Sequence, residues 1–83
     1  MLNSECFDEY KDTQSWPGTP HKDIKTLKEC KQKCLDDDYC VAVDWDIEFP
    51  VNCFLLRTTA VYQPWKNGII TQYKRKDSCK RKL

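Results

Sequence analysis

Glycine is scarce in this 83-residue sequence, with only 2, and histidine and long apolar runs are scarcer still. With no Gly-rich loop a phosphate cradle is missing, and a Ser/His/Asp set would have to rest on His21, the sole histidine, which reads as an exposed loop residue. No apolar stretch approaches the ~20 residues that a membrane helix requires, so no membrane insertion is expected. No charge of one sign dominates: 14 Lys and Arg stand against 13 Asp and Glu, a net charge of +1, which removes the simplest electrostatic case for a nucleic-acid binder. Met1 to Glu5 reach the first cysteine with no basic n-region, apolar h-region or small-residue cleavage site. The expectation is a mature or excised domain whose leader lies outside this sequence.

Cysteine is what the sequence has in excess, 6 in 83 residues. So short a chain buries a smaller fraction of its surface than a large domain does, and covalent staples offset the deficit. One domain is expected over residues 1–83, with a core at 6–79 and a basic tail at 80–83. Charge is uneven along it: residues 74–83 hold six Lys or Arg and one Asp, while the rest holds eight against twelve acidic residues. The tail reads either as a solvated end or as an anionic docking patch.

Thr26, with Glu29 three residues on, has capping-box spacing and predicts a helix over 27–36. At 100° per residue Leu27, Cys30 and Cys34 share one face, with Leu35 flanking; Lys25, Lys28, Gln32 and Lys33 face away. Asp36-Asp37-Asp38 opposes the helix dipole and predicts the stop. Val41, Val43, Trp45 and Ile47 alternate with Ala42, Asp44 and Asp46, the period of a half-buried strand. Further strands are expected at Cys53–Thr58, at Ile69–Arg75 after the turn dipeptide Asn67-Gly68, and at Cys6–Thr13. Pro17-Gly18-Thr19-Pro20, Pro50 and Pro64 read as breaks, and His21 as an exposed loop residue. One helix packed across an antiparallel sheet is the economical α+β solution.

Six cysteines allow 15 pairings. Cys30 and Cys34, one turn apart on the same face, cannot bridge without strain. A short acidic loop brings Cys34 to Cys40, Cys30 reaches the neighbouring strand at Cys53, and Cys6 and Cys79 remain to tie the chain ends together. The chain-entropy account gives these loops about 2 to 4.5 kcal/mol each. Zinc is the competing use of the thiols. There is no Cys-x-x-Cys knuckle, and no metal or other cofactor is expected.

The sequence then resembles the PAN/apple domain family. Thr26 to Leu35 with its Cys-x₃-Cys, Tyr39-Cys40-Val41-Ala42-Val43-Asp44-Trp45, Asn52-Cys53-Phe54-Leu55-Leu56 and the late Tyr73 and Cys79 carry the resemblance, which spans Cys6 to Cys79. It implies an antiparallel sheet cradling one helix, with the same three bridges, 6–79 being the one some relatives lack. It also implies an extracellular adhesion or recognition module within a larger secreted or surface protein, binding proteins or carbohydrates and not catalytic. No single ligand motif defines the family, so no binding residue transfers from it.

Ligand candidates therefore come from residue chemistry. Asp44 and Asp46 share a strand face, as an acid pair for hydrolysis would, but strand alternation alone explains them. A sulfated glycosaminoglycan of the heparin kind would suit Lys25, Lys28 and Lys33 together with Lys74, Arg75 and Lys76, two basic stripes that can act together only on adjoining surfaces. A solvated face accounts equally for the same residues. Protein recognition ranks first, with Trp16 and Trp65, and beside them Tyr39 and Tyr62, in or near Pro-rich loops where aromatics serve as interface anchors. Sugar stacking on such rings is a variant, and a free-standing secreted signal or toxin an alternative from a third class.

Overall fold

The computed structural model describes residues 3–59, 61–62 and 67–79. Its one α-helix among these residues, α1 (Leu27–Leu35), starts where the sequence places it. Thr26 is extended at φ −125°, its hydroxyl oxygen accepts from the Glu29 N–H at 3.2 Å, and the hydroxyl donates to the Glu29 carboxylate at 2.8 Å. Cys30 and Cys34 face inward and are fully buried, while Leu27 is half-buried. The helix ends one residue before the Asp run, with Asp36 as its cap and Asp37 turning the chain through a 2.9 Å bond from the Tyr39 N–H to its carboxylate.

The strands are β1 (Phe7–Lys11), β2 (Gln14–Ser15), β3 (Gly18–His21), β4 (Ala42–Asp46), β5 (Cys53–Leu56), β6 (Val61–Tyr62) and β7 (Ile70–Arg75). Five form one antiparallel sheet in the order β1-β7-β4-β5-β3, and β2 pairs with β6 as a separate ribbon. The fold is α+β, as the sequence predicts. Asn67-Gly68 forms the turn before β7, with Gly68 at φ +83° and its N–H donated to Asp12.

Three expectations fail here. Pro17 to Pro20 reads as a break, yet Gly18–His21 is a strand, possible because β3 is a sheet edge and needs no inward N–H from Pro20. His21 accordingly sits in a strand opposite Cys53, half-buried, and not in an exposed loop. Ile47, expected on the buried face, lies beyond the end of β4 and is 63% exposed.

Alternation divides the sheet into two faces. Phe7, Val43, Leu55, Cys53 and Tyr73 face α1 and make the main core with Ile24 and the helix cysteines. Lys31 joins them unexpectedly. Its stem is buried and its ammonium lies 4.3 Å from the Tyr73 ring centre and 5.8 Å from that of Phe7, so ring faces replace part of its lost water. Desolvation lowers its pKa, opposed by Glu9.

The three bridges are Cys6–Cys79, Cys30–Cys53 and Cys34–Cys40, with Cα separations of 5.5, 5.7 and 5.2 Å. They use every cysteine, so the sulfurs a zinc site would draw on are paired.

Candidate functional site

The face of the sheet away from α1 carries Gly18 and Pro20 on β3, Phe54 and Leu56 on β5, Ala42, Asp44 and Asp46 on β4, and Ile70, Gln72 and Lys74 on β7. The β2–β6 ribbon is tied to part of this face through Ser15: its N–H donates to Asp44 Oδ2 at 2.9 Å, and its hydroxyl accepts from Gln72 Nε2 at 2.7 Å. The ribbon's presence explains why Asp44, expected to face solvent, is buried at 5% exposure.

Beside the ribbon the face opens into a groove of about 360 Å³. Trp16, Phe49 and Phe54 supply aromatic walls, Pro20 and Ile70 aliphatic ones, and Asp44 and Asp46 the acid. Trp16, in the turn between β2 and β3, is 60% exposed, and Phe49, in the loop after β4, is 55% exposed. Phe49 and Phe54 meet with ring centres 6.1 Å apart at 45°, a tilted pair that fixes one wall. Asp46 holds the Phe49 loop in place, its Oδ1 accepting the N–H groups of Glu48 and Phe49, both at 2.9 Å.

Burial pushes the Asp44 carboxyl up to about 6, with a smaller push from the Asp46 charge; the bonds from Ser15 and Gln72 pull the other way without cancelling it. Gln72 Nε2 reaches Asp44 Oδ1 at 3.1 Å, so both carboxylate oxygens accept amide donors. Those donors hold the group as an acceptor at the base of the groove.

The family model of PAN-like domains matches residues 11–75. The chain belongs to the PAN-like domain family. Comparison with curated proteins and with solved structures finds no match. PAN-like domains are in general non-catalytic modules that bind proteins or carbohydrates, and three disulfides fit the oxidising surroundings in which such modules work. Among the described residues, no helix is long and apolar enough to cross a membrane and no group of His, Cys, Asp and Glu is placed to hold a metal ion.

The basic candidates of this PAN-like domain do not converge. Lys25, Lys28 and Lys33 are exposed on the helix side, whereas Lys74 shares the opposite face with Gln72. Lys76 follows β7 and lies 3.9 Å from Asp8. Arg75 is a correction: it points inward and is only 4% exposed. It follows Tyr73 by two residues, so strand alternation turns it toward α1, where its guanidinium meets the carbonyl ends of the helix. Nη1 donates to the carbonyls of Cys34, Asp37 and Cys40 at 3.0, 3.1 and 3.3 Å, and Nη2 to those of Leu35 and Cys79 at 3.3 and 2.8 Å. Arg75 therefore completes the helix C-terminus and is not available as a surface cation.

Of the aromatic candidates, Trp16 lines the groove, and Tyr39, exposed, lies elsewhere beneath the Arg57 guanidinium at 5.2 Å. Trp65, the Tyr62 side chain and the tail residues Lys80, Arg81 and Lys82 fall outside the described residues. Phe49, Phe54 and the acid pair were not foreseen as one site. The sequence signal was the acidic half of the β4 alternation, but only the pairing with β5 and the position of the ribbon show what it faces.

Proposed function

We propose that this PAN-like domain is an extracellular recognition and adhesion module of a larger secreted or surface protein, and that it engages a protein or glycan partner through the groove bounded by Trp16, Phe49 and Phe54. The observation that carries this is the exposure of two large aromatic side chains, Trp16 and Phe49, around a concave, acid-based site in so small a molecule. Residues 6–79 act as one unit in this reading, closed by Cys6–Cys79. The sulfated-polysaccharide alternative needs a shared basic surface. The distribution of Lys25, Lys28 and Lys33 on one side, Lys74 on the other and Arg75 inside gives it no support.

The test is Trp16→Ala in the oxidised domain, screened beside the wild type against arrays of extracellular proteins and glycans. Because Trp16 is already 60% exposed, its truncation should leave the melting temperature nearly unchanged. Binding to the wild-type partner should fall about tenfold or more, as for an aromatic anchor. Retention of full binding by a folded Trp16→Ala variant would remove the groove from the function.

A further inference from the structure

The groove has an electrostatic character that its apolar walls conceal. Asp44 is buried against Ser15, Gln72 and Phe54, and its carboxylate partners are amide donors; none is a cation. Asp46, two residues along the same strand, adds a second negative charge, and its carboxylate accepts the Glu48 and Phe49 N–H groups through Oδ1, toward its own loop. Among the described residues lining the groove there is no Lys, Arg or His. Two carboxylates thus stand in a partly desolvated apolar cleft with no counter-charge among those described residues, in a molecule that otherwise balances its charges almost evenly. A bound cation would relieve both the desolvation and the mutual repulsion.

Shape narrows the cation. At about 360 Å³ the groove is at the small end of ligand sites, suited to one extended side chain and too small for a helix or a folded loop. The rings of Trp16, Phe49 and Phe54 with Pro20 and Ile70 would lie along an alkyl stem, and an indole face attracts an ammonium or guanidinium group. We infer that the groove is a receptor for a lysine or arginine side chain of a partner polypeptide, its alkyl stem against the aromatic walls and its charged end on Asp44 and Asp46. This rests on the groove being the recognition site proposed above and adds the chemistry of what enters it.

The experiment follows amide NMR spectra of the oxidised ¹⁵N-labelled domain at pH 7 during titration with Nα-acetyl-lysine N-methylamide and its arginine counterpart. The uncharged control, with the lysine alkyl stem but no ammonium, is Nα-acetyl-norleucine N-methylamide, and a methyl hexoside is the neutral sugar control. Expected are saturable shifts of the Ser15 backbone amide and the Gln72 side-chain amide with the two cationic probes, and affinity for norleucine at least about tenfold weaker. Asp46→Asn keeps an Oδ1 acceptor for Glu48 and Phe49 and so preserves the loop; it should weaken the cationic probes about tenfold while leaving the rest of the spectrum in place. Equal binding of norleucine would overturn the cationic assignment but leave the groove reading intact. Hexoside binding with silent cationic probes would do the same in favour of a sugar. Silence of every probe, in a domain whose partner binding still depends on Trp16, would also overturn it.

Discussion

Replacing Arg75 by Met takes a donor from five carbonyls, of which those of Cys34 and Asp37 keep a backbone N–H, from Asp37 and Cys40, both at 3.1 Å. Those of Cys34 and Cys40 are met by Nη1 in buried positions, whereas the bonds to Leu35, Asp37 and Cys79 are only partly buried, so water can re-satisfy the latter. The buried Cys40 carbonyl left unpaired costs about 1–3 kcal/mol, and the buried Cys34 carbonyl loses a bond to a charged donor worth about 1.5–3 kcal/mol. Losing a cation at the helix C-terminus adds about 0.5–1 kcal/mol. The desolvation that Arg75 no longer suffers offsets part of this, which leaves a loss of about 3–4 kcal/mol. For a domain of this size each kcal/mol moves the melting temperature by about 4–8 °C, so the midpoint should fall by about 12–30 °C. Arg75→Lys, with three donors on a point charge, should fall between wild type and Met. Lys74→Met, one residue away on the exposed face, should change stability by less than about 0.5 kcal/mol. Guanidinium unfolding of the oxidised proteins, followed by tryptophan fluorescence, gives the comparison. If Arg75→Met is already unfolded without denaturant, hydrogen exchange in Arg75→Lys should show lost protection at the end of α1 before the sheet. An Arg75→Met variant within 1 kcal/mol of wild type, or indistinguishable from Lys74→Met, would refute the assigned role.

Two other perturbations test the sheet face. Because the folded Asp44 carboxyl titrates near 6 against an ordinary 3.8, the folded state binds more protons than the unfolded chain between those values. Stability contributed by this group therefore falls as pH rises from about 4 to 6, by on the order of 3 kcal/mol, and is level above. Asp46 is the charged group that faces it, with uncharged Ser15, Gln72 and Phe54 from the other elements packed against it. Asp44→Asn should flatten the slope in urea titrations between pH 4 and 7, and an unaltered slope in that variant would assign it elsewhere. Gly18→Ala would put a methyl carbon 3.0 Å from Leu56 Cδ2 and 3.2 Å from Phe54 Cβ, and the latter moves only with its strand. A loss of about 1–3 kcal/mol in the same unfolding assay is expected, and none if β3 can slide freely.

Local features were legible in the sequence. The Thr26–Glu29 spacing specifies the start of α1, and the Asp run its end, because capping and dipole effects act within one turn. The bridges were legible because a helix with Cys-x₃-Cys leaves few sterically sound partners once the loops are drawn. What was hidden depends on neighbours distant in the chain. β3 was masked by two prolines whose missing N–H groups matter only inside a sheet, and nothing local reveals that this segment pairs at an edge. Arg75 sits between two lysines and reads with them as a basic run, although its place two residues after Tyr73 already turns it inward. Asp44 reads as solvent-facing until Ser15, 29 residues away, is seen to close over it.

The bridge between Cys6 and Cys79 gives the molecule a mechanical property. Its two Cα atoms are 5.5 Å apart although 73 positions separate them along the chain. Tension applied through segments attached outside these two residues would run straight across the sulfur link, and the intervening loop would carry none of the load. Set in a longer polypeptide, such a module would stay folded while that polypeptide is pulled taut, lengthening only once the link is reduced.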